Sequence, residues 1–513
     1  MRGMWEERVD RRAMLKGIAG TTLGLAAVAG AGASAEAAAT PKRGGTLAVG
    51  NDLELLTLDP IASTYLIERE IYYNIYESLL TMDTKANIMP GLATSYKASD
   101  PQTYVFTLRD DVTFQDGTKF DAGAAKWNLD RYIQTPGSYR AVELASVASV
   151  EARNTNTLVL HLKQADSSLL SQLVDRAGMM LSPNAVQKGG AGFKRNPVGA
   201  GSGPFQFKEW IIGDHLTIIR NPHYRVSHLP YLDTVIYHPI TDLNASLDQL
   251  RSGSLDLVRT IAGKDVATVK SDSNLVYRQT PSFGYDSIQL NCGGAFSDPK
   301  KRQAVAMAID RSQLERTVFF NVGPIGYGPI PPKSWAFVPS EQIYGKTDLK
   351  AARNMAGSFS FTLKNTNGTT AVQEAQLIQA QLQQAGITMN IQTLDSGTLT
   401  QQTQQHNFDA AFFGWSGRLD PDGNTYSELH TNGSFNWGQY SDPQVDRLLE
   451  QGRVETSHAK RKALYDQMQK TVVTAAPYIY LHFAAANEIH SKALKGFTLY
   501  PDGMNRFASV WKS

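Results

Sequence analysis

The chain has 513 residues, too many for one ordinary hydrophobic core, so two or three domains are expected. Apolar residues make up 42% and charged residues 19%, the balance of a globular protein, and a formal net charge of +2 offers a polyanion no handle. No basic run is interleaved with aromatics, which argues against a nucleic-acid partner, and the lone Cys292 excludes an internal disulfide.

Residues 1–39 read as a targeting segment. Arg11 and Arg12 precede a Gly- and Ala-rich apolar run, Ile18 to Ala33, that falls short of the ~20 residues of a membrane span. Ala33-Ser34-Ala35 and Ala37-Ala38-Ala39 are candidate cleavage sites. The pattern resembles a twin-arginine export signal, with Asp10 and Met14 in place of the usual Ser/Thr and Phe; a retained anchor or a disordered basic N-terminus is the alternative. No cysteine is present there to carry a lipid. No later stretch is apolar enough to span a bilayer, so the cleaved protein is expected to be soluble in the periplasm.

From Thr46 the chain opens with a short strand, TLAVG, and Ile67–Leu80 has the spacing of a helix. Alternation over Thr103–Phe120 predicts a β-hairpin around Arg109-Asp110-Asp111, with Asp116-Gly117 as a second turn. A helix follows over Ala122–Tyr132. Gly199–Trp210 (GAGSGPFQFKEW) is glycine-rich, but a strand-like segment follows where a phosphate loop must open a helix. Ser287–Asn291 reads as a strand running into Cys292-Gly293-Gly294, small residues able to serve as a hinge. Lys300–Phe319 reads as one helix, and residues 359–393 as a strand–helix–strand unit with Gly386 stopping the helix.

The chain then reaches its most informative stretch. Ala410–Phe413 is a continuous apolar run, a strand buried on both faces, which breaks at Gly414 into Trp415, Ser416, Gly417, Arg418, Asp420 and Asp422. The carboxyl ends of such strands are where open α/β sheets hold ligands; an ordinary surface turn is the bland alternative. Helices over Pro443–Val454 and Ala459–Thr474 follow, and Ala476–Ile489 returns toward the first part of the chain.

Catalytic and metal patterns are absent from the sequence. Ser202 lies one place late for a Gly-x-Ser-x-Gly elbow, and Cys292 reads as a small buried residue. His223, His228 and His238 are irregularly spaced. Asp420, Asp422 and Asn424 imitate a calcium loop, but Thr425 stands where glycine is needed and Thr431 where a glutamate is needed. No catalytic residue, metal or cofactor is therefore expected.

Three separated stretches, ATSYKASDPQTYVFTLRDDVTFQDGTKFDAGAAKWNLDRY, GSGPFQFKEWIIGDHLTIIRNPHYR and AFSDPKKRQAVAMAIDRSQL, are similar in order and content to the extracellular solute-binding proteins, family 5, that feed dipeptide and oligopeptide ABC transporters. The resemblance implies an α/β, two-lobed periplasmic-binding-protein fold, type II-like, with an extra subdomain in the first lobe. Its expected division is 40–290 for the first lobe, including an insertion around 81–199 and completed by 490–513, and 291–489 for the second. In such peptide binders the segment after Gly-Trp lies beside the ligand, which points to Trp415, Ser416 and Gly417. They often carry an aspartate three positions after the tryptophan, for the ligand ammonium; here Arg418 stands there, and the segment is one residue shorter. Arg418 is expected either to turn to Asp420 or Asp422 or to meet an anion on the ligand.

Asn436, Trp437 and Tyr440 are expected around the same mouth, although core packing is an alternative for the tryptophan. Thr64, Tyr65, Ser282 and Tyr285 are expected there from family position. The implied function is a monomeric, non-enzymatic receptor of an ABC importer, delivering a short peptide to a membrane permease. An anionic non-peptide solute (opine, sugar phosphate or chelator) is the alternative ligand. A periplasmic peptide hydrolase and a scaffold that binds no small solute are the rival classes.

Overall fold

The computed structural model describes residues 40–339 and 342–513; the targeting segment and its paired arginines lie outside the described residues. The first strand, β1 (Thr46–Asn51), buries Leu47 and Val49 at the period-two spacing of a pleated strand. After α1 (Leu66–Ile75) the chain builds a four-stranded antiparallel sheet from β2 (Ala93–Asp100), β3 (Thr103–Leu108), β4 (Val147–Asn154) and β5 (Thr157–Leu162). Helix α2 (Ala122–Gln134) packs on this sheet, and Phe106, Leu129 and Leu160 belong to its separate core.

The chain then returns to β1 through β6 (Phe205–Ile211), β7 (His215–Arg220), β8 (Thr234–Pro239), α3 (Leu243–Ser252) and β9 (Leu257–Val258). A long strand, β10 (Leu275–Leu290), leads to α4 (Pro299–Ala308), α5 (Arg311–Thr317), β11 (Phe359–Thr366), α6 (Thr369–Gln384), β12 (Ile387–Leu394), α7 (Ser396–Gln404) and β13 (Ala410–Trp415). Helices α8 (Pro443–Val454) and α9 (His458–Ala475) precede a second long strand, β14 (Tyr478–Ser491). One sheet of order β6-β7-β8-β1-β9-β14-β10-β13-β11-β12 results. Leu47, Phe205 and Tyr237 pack in one core with Phe507 and Val510 from the C-terminus, while Ile288, Leu363, Ile387 and Ala410 pack in another.

The antiparallel pair β10–β14 joins these two halves. Its ladder runs from Leu275↔Ser491 to Pro281↔Ala485, resumes at Tyr285↔Phe483, and shifts again between Asp286 and Ser287. Pro281 has no N–H to donate, and the extra β10 residues after it form a bulge that bends the strand. The ladder of the crossover is therefore irregular at 281–287. At the Cys292-Gly294 turn, expected as the hinge, Cys292 N–H donates to the Gly438 carbonyl at 2.6 Å and Asn291 N–H to that of Asp409 at 2.9 Å.

Several local expectations are corrected. The hairpin over 103–120 does not form: β3 pairs with β2 and β5, and beyond Leu108 only an isolated Thr113↔Lys119 bridge spans the Gly117 turn. The alternation was real, but its partner strands lie elsewhere in the chain. The helix expected over 67–80 ends at Ile75, and the one over 300–319 is split where the Asp310 carboxylate caps α5 through the Gln313 N–H at 2.9 Å. The strand–helix–strand unit is present, with β11 and β12 parallel and Gly386 at φ +79°.

Candidate functional site

An open cleft of about 580 Å³ lies where β10 and β13 run together beside α1. Six of the expected residues line it: Thr64 and Tyr65 just before α1, Ser282 in the β10 bulge, Trp415 and Ser416 at the end of β13, and Trp437. Local structure explains their positions. Antiparallel pairing sets Trp415 opposite Tyr285 and Gly414 opposite Asp286, so the end of β13 opens on the bulge. Ser282 Oγ donates to the Ala484 carbonyl at 2.9 Å and accepts from Gly284 N–H at 3.1 Å, stitching that bulge. Tyr65 and Thr400 hydroxyls meet at 3.2 Å across the cleft. The indole N–H of Trp415 donates to Asn424 Oδ1 at 3.0 Å, and that of Trp437 to the Ser434 carbonyl at 3.1 Å, so both rings offer faces and edges but no free donor.

The other six do not line the cleft, and most of their polar side-chain groups are committed elsewhere, although Arg418 Nη2 meets no acceptor. Tyr285 is fully buried, its hydroxyl on Glu428. Asn436 bridges the His430 and Tyr440 carbonyls at 3.1 and 2.7 Å and accepts from the Tyr440 N–H at 3.0 Å. Tyr440 itself is buried against Val445 and Leu449, its hydroxyl donating to Asp442 at 3.4 Å. Asp420 takes two hydrogen bonds from Arg461, at 2.8 and 2.9 Å, and Asp422 two from Arg453, again at 2.8 and 2.9 Å. These bidentate pairs consume both carboxylates of the apparent calcium loop. They also overturn the expectation that Arg418 turns to Asp420 or Asp422.

Arg418 goes instead to Asp175. Gly417, at φ +75°, directs the chain away from β13, and Arg418 is buried with Nε 3.3 Å from Asp175 Oδ2 and its guanidinium over the Trp415 ring. Asp175 also pairs with Arg69 at 2.9 Å, while Arg69 donates to the Gly417 carbonyl at 3.2 Å. Arg176 and Arg140, both buried, donate to the Ser63 carbonyl at 3.3 and 3.2 Å. Burial and the neighbouring Arg176 bring Arg418 down to about 9. Burial pushes the Asp175 carboxyl up, but Arg69, Arg418 and Arg176 override it and hold it well below the usual carboxylate range. Arg69, Arg418 and Asp175 form a polar lock between the α1 side of the molecule and the β13 side.

Charged groups of the cleft that the sequence did not single out are Asp52, Arg259, Asp286, Glu374 and Asp502. Asp52 and Arg259 pair at 2.9 Å. Asp286 sits in β10 between Tyr285 and Ser287, and Glu374 is in the second turn of α6. No hydrogen-bond partner reaches Glu374 Oε1, and the residue is 4% exposed. Burial first, then the nearby Asp286 charge, push the Glu374 carboxyl well above its ordinary value; burial raises Asp286 too, against an opposing pull from His482. A signal existed in the sequence. Glu374 shares the apolar stripe of α6 with Ala375, Ile378 and Leu382, where an acid is out of place.

The family model described as bacterial extracellular solute-binding proteins, family 5 Middle, matches residues 87–437, more than half of the chain. The chain belongs to this family. The glutathione-binding protein GsiB of Salmonella paratyphi A is 30% identical over 475 residues, covering 89% of this chain and 92% of that protein. Two solved structures share the fold: the periplasmic binding protein DppA of Helicobacter pylori, in complex with peptide STSA, and the oligopeptide-binding protein AppA of Bacillus subtilis, in complex with a nonapeptide. DppA superposes with a TM-score of 0.86 at 22% identity, covering 92% of this chain and 98% of its own. AppA gives 0.86 at 25% identity, covering 92% and 100%. The family 5 chain thus has the two-lobed periplasmic-binding-protein fold and is a solute-binding protein. No helix among its described residues is long and apolar enough to cross a membrane.

Proposed function

We propose that this protein captures a short peptide or a peptide-like solute of glutathione size between its lobes and delivers it to the permease of an ABC importer. The observation that carries this reading is the cleft itself. Its volume lies in the range of small-molecule sites, and both halves of the sheet supply its walls. Beside it, β13 ends at Gly414-Trp415-Ser416, which supports an extended ligand lying along its backbone. The relatives' printed ligands, glutathione and peptides, support the same class. The mechanism is closure about the β10–β14 crossover, with the lobes divided near residue 290 and the irregular ladder at 281–287 taking up the rotation. Export through the twin-arginine route, cleavage near residue 39 and residence in the periplasm complete the reading.

The anionic-solute reading is less well supported, because Arg418, its principal ground, is paired with Asp175 and does not line the cleft. Peptide hydrolysis would need a nucleophile beside a base; Cys292 lies outside the cleft, and burial pushes its thiol up to about 11. The test is a thermal melt of the mature chain against glutathione and a set of di- and tripeptides. A ligand specific to the folded state raises the melting temperature with concentration. A flat melting temperature across all of them would refute the proposal.

A further inference from the structure

The cleft holds four carboxylates, and two of them have partners. Asp52 is paired with Arg259 at 2.9 Å and Asp502 with Arg506 at 2.7 Å. Asp286 and Glu374 have none. Glu374 is nine-tenths buried, lines the cleft, and has an oxygen that meets no donor. His482 faces Asp286 across the β10–β14 ladder, but its Nδ1 is engaged by Glu315 at 3.0 Å and its ring is stacked on Phe319.

A buried acid without a partner costs stability. Packing does not require the charge, since the buried stripe of α6 on which Glu374 lies is otherwise Ala375, Ile378, Leu382 and the neutral Gln381. Two unpartnered carboxylates lining one cleft whose other acids are paired favour a cation. A metal ion is the poorer fit, because no group of three or more His, Cys, Asp or Glu side chains converges among the described residues.

Resting on the capture reading above, we infer that Asp286 and Glu374 form the subsite for a positively charged nitrogen of the solute, an ammonium or guanidinium group. Arg418, paired with Asp175, does not line the cleft and so does not compensate the two acids. Ligand entry supplies the missing counter-charge.

The test uses the mature chain, calorimetric titration, and glutathione, trialanine and agmatine as probes, with the N-acetylated form of each peptide. The proposal expects the acetylated forms to bind at least about 30-fold more weakly than the free amines, as for loss of one member of a desolvated charge pair. Glu374→Gln and Asp286→Asn should each cost the free amines a similar factor and erase the preference over the acetylated forms. Glu374→Gln without ligand should melt higher than the wild type, because an unpartnered acid has been neutralised; a purely structural acid would do the reverse. Peptides binding equally with and without the acetyl group would overturn the subsite and leave the peptide reading intact. Agmatine binding that depends on Asp286 while no peptide binds would uphold the subsite and overturn the peptide reading. Failure of every amine probe to bind the wild type would count against both.

Discussion

Asp175 is a residue on which the two halves of the molecule meet, because its carboxylate pairs with both Arg69 and Arg418. Removing the negative charge leaves guanidinium groups facing one another without a counter-ion, and breaking a buried pair in this way typically costs about 3–5 kcal/mol. Asp175→Asn should therefore lower the denaturant midpoint strongly, whereas Arg418→Met, which removes one crowded cation, should cost much less. Equal losses would show that Arg418 is needed for the lock and not merely held by it. The buried acids also set a pH profile. Burial, offset in part by Arg259, pushes Glu70 up to about 7, and Glu374 and Glu428 are raised well above their ordinary values. A raised carboxyl pKa adds stability that is complete below the unfolded value and lost as pH rises through the folded one. Asp175 works in the other direction, its stabilisation disappearing as pH falls below the unfolded carboxylate value. Stability should thus peak near pH 5 and fall toward pH 8, by about 2–4 kcal/mol for Glu70 alone. Denaturant titrations of wild type and Glu70→Gln at pH 5 and 8 check this; the variant should lose a large part of the decline.

At the scale of elements, the turn after β13 fits only because residue 417 is glycine. A Cβ there would lie 2.1 Å from the Phe283 carbonyl carbon and 2.2 Å from its oxygen, and φ is +75°. Both obstacles are backbone of the β10 bulge, so neither can swing aside, and Gly417→Ala should destabilise the fold by more than about 3 kcal/mol while displacing Trp415 from the cleft. Near-normal stability and peptide binding would contradict this packing. The same turn shows what the sequence could reveal. The buried run Ala410–Phe413, its break at Gly414 and the α6 unit were legible because burial on both faces and helical period leave local marks. The partners of β3 and of Arg418 were not, since Leu160 and Asp175 are chosen by long-range topology. Asp420 and Asp422 looked like ligand-binding acids for the same reason. Only the folded chain shows that Arg461 and Arg453, on the two following helices, have taken them.

For the whole molecule, the account is one of a receptor whose lobes hold each other through a few polar contacts and a solute. Arg69–Gly417, Tyr65–Thr400 and Ser167–Arg453 hydrogen bonds, at 3.2, 3.2 and 2.7 Å, already link the halves, so ligand need add only a modest differential to select the closed form. Weakening one of them, as in Tyr65→Phe, should increase the radius of gyration without ligand and leave the ligand-bound value unchanged in small-angle scattering. The central claim is capture of a peptide-like solute without chemistry. Its most direct test is to equilibrate the mature protein with glutathione and the peptide set, wash by ultrafiltration, denature, and weigh what is released by mass spectrometry. The account expects one solute retained near one per chain and recovered at its original mass. A released compound of altered mass, or retention of none of the set, would contradict it.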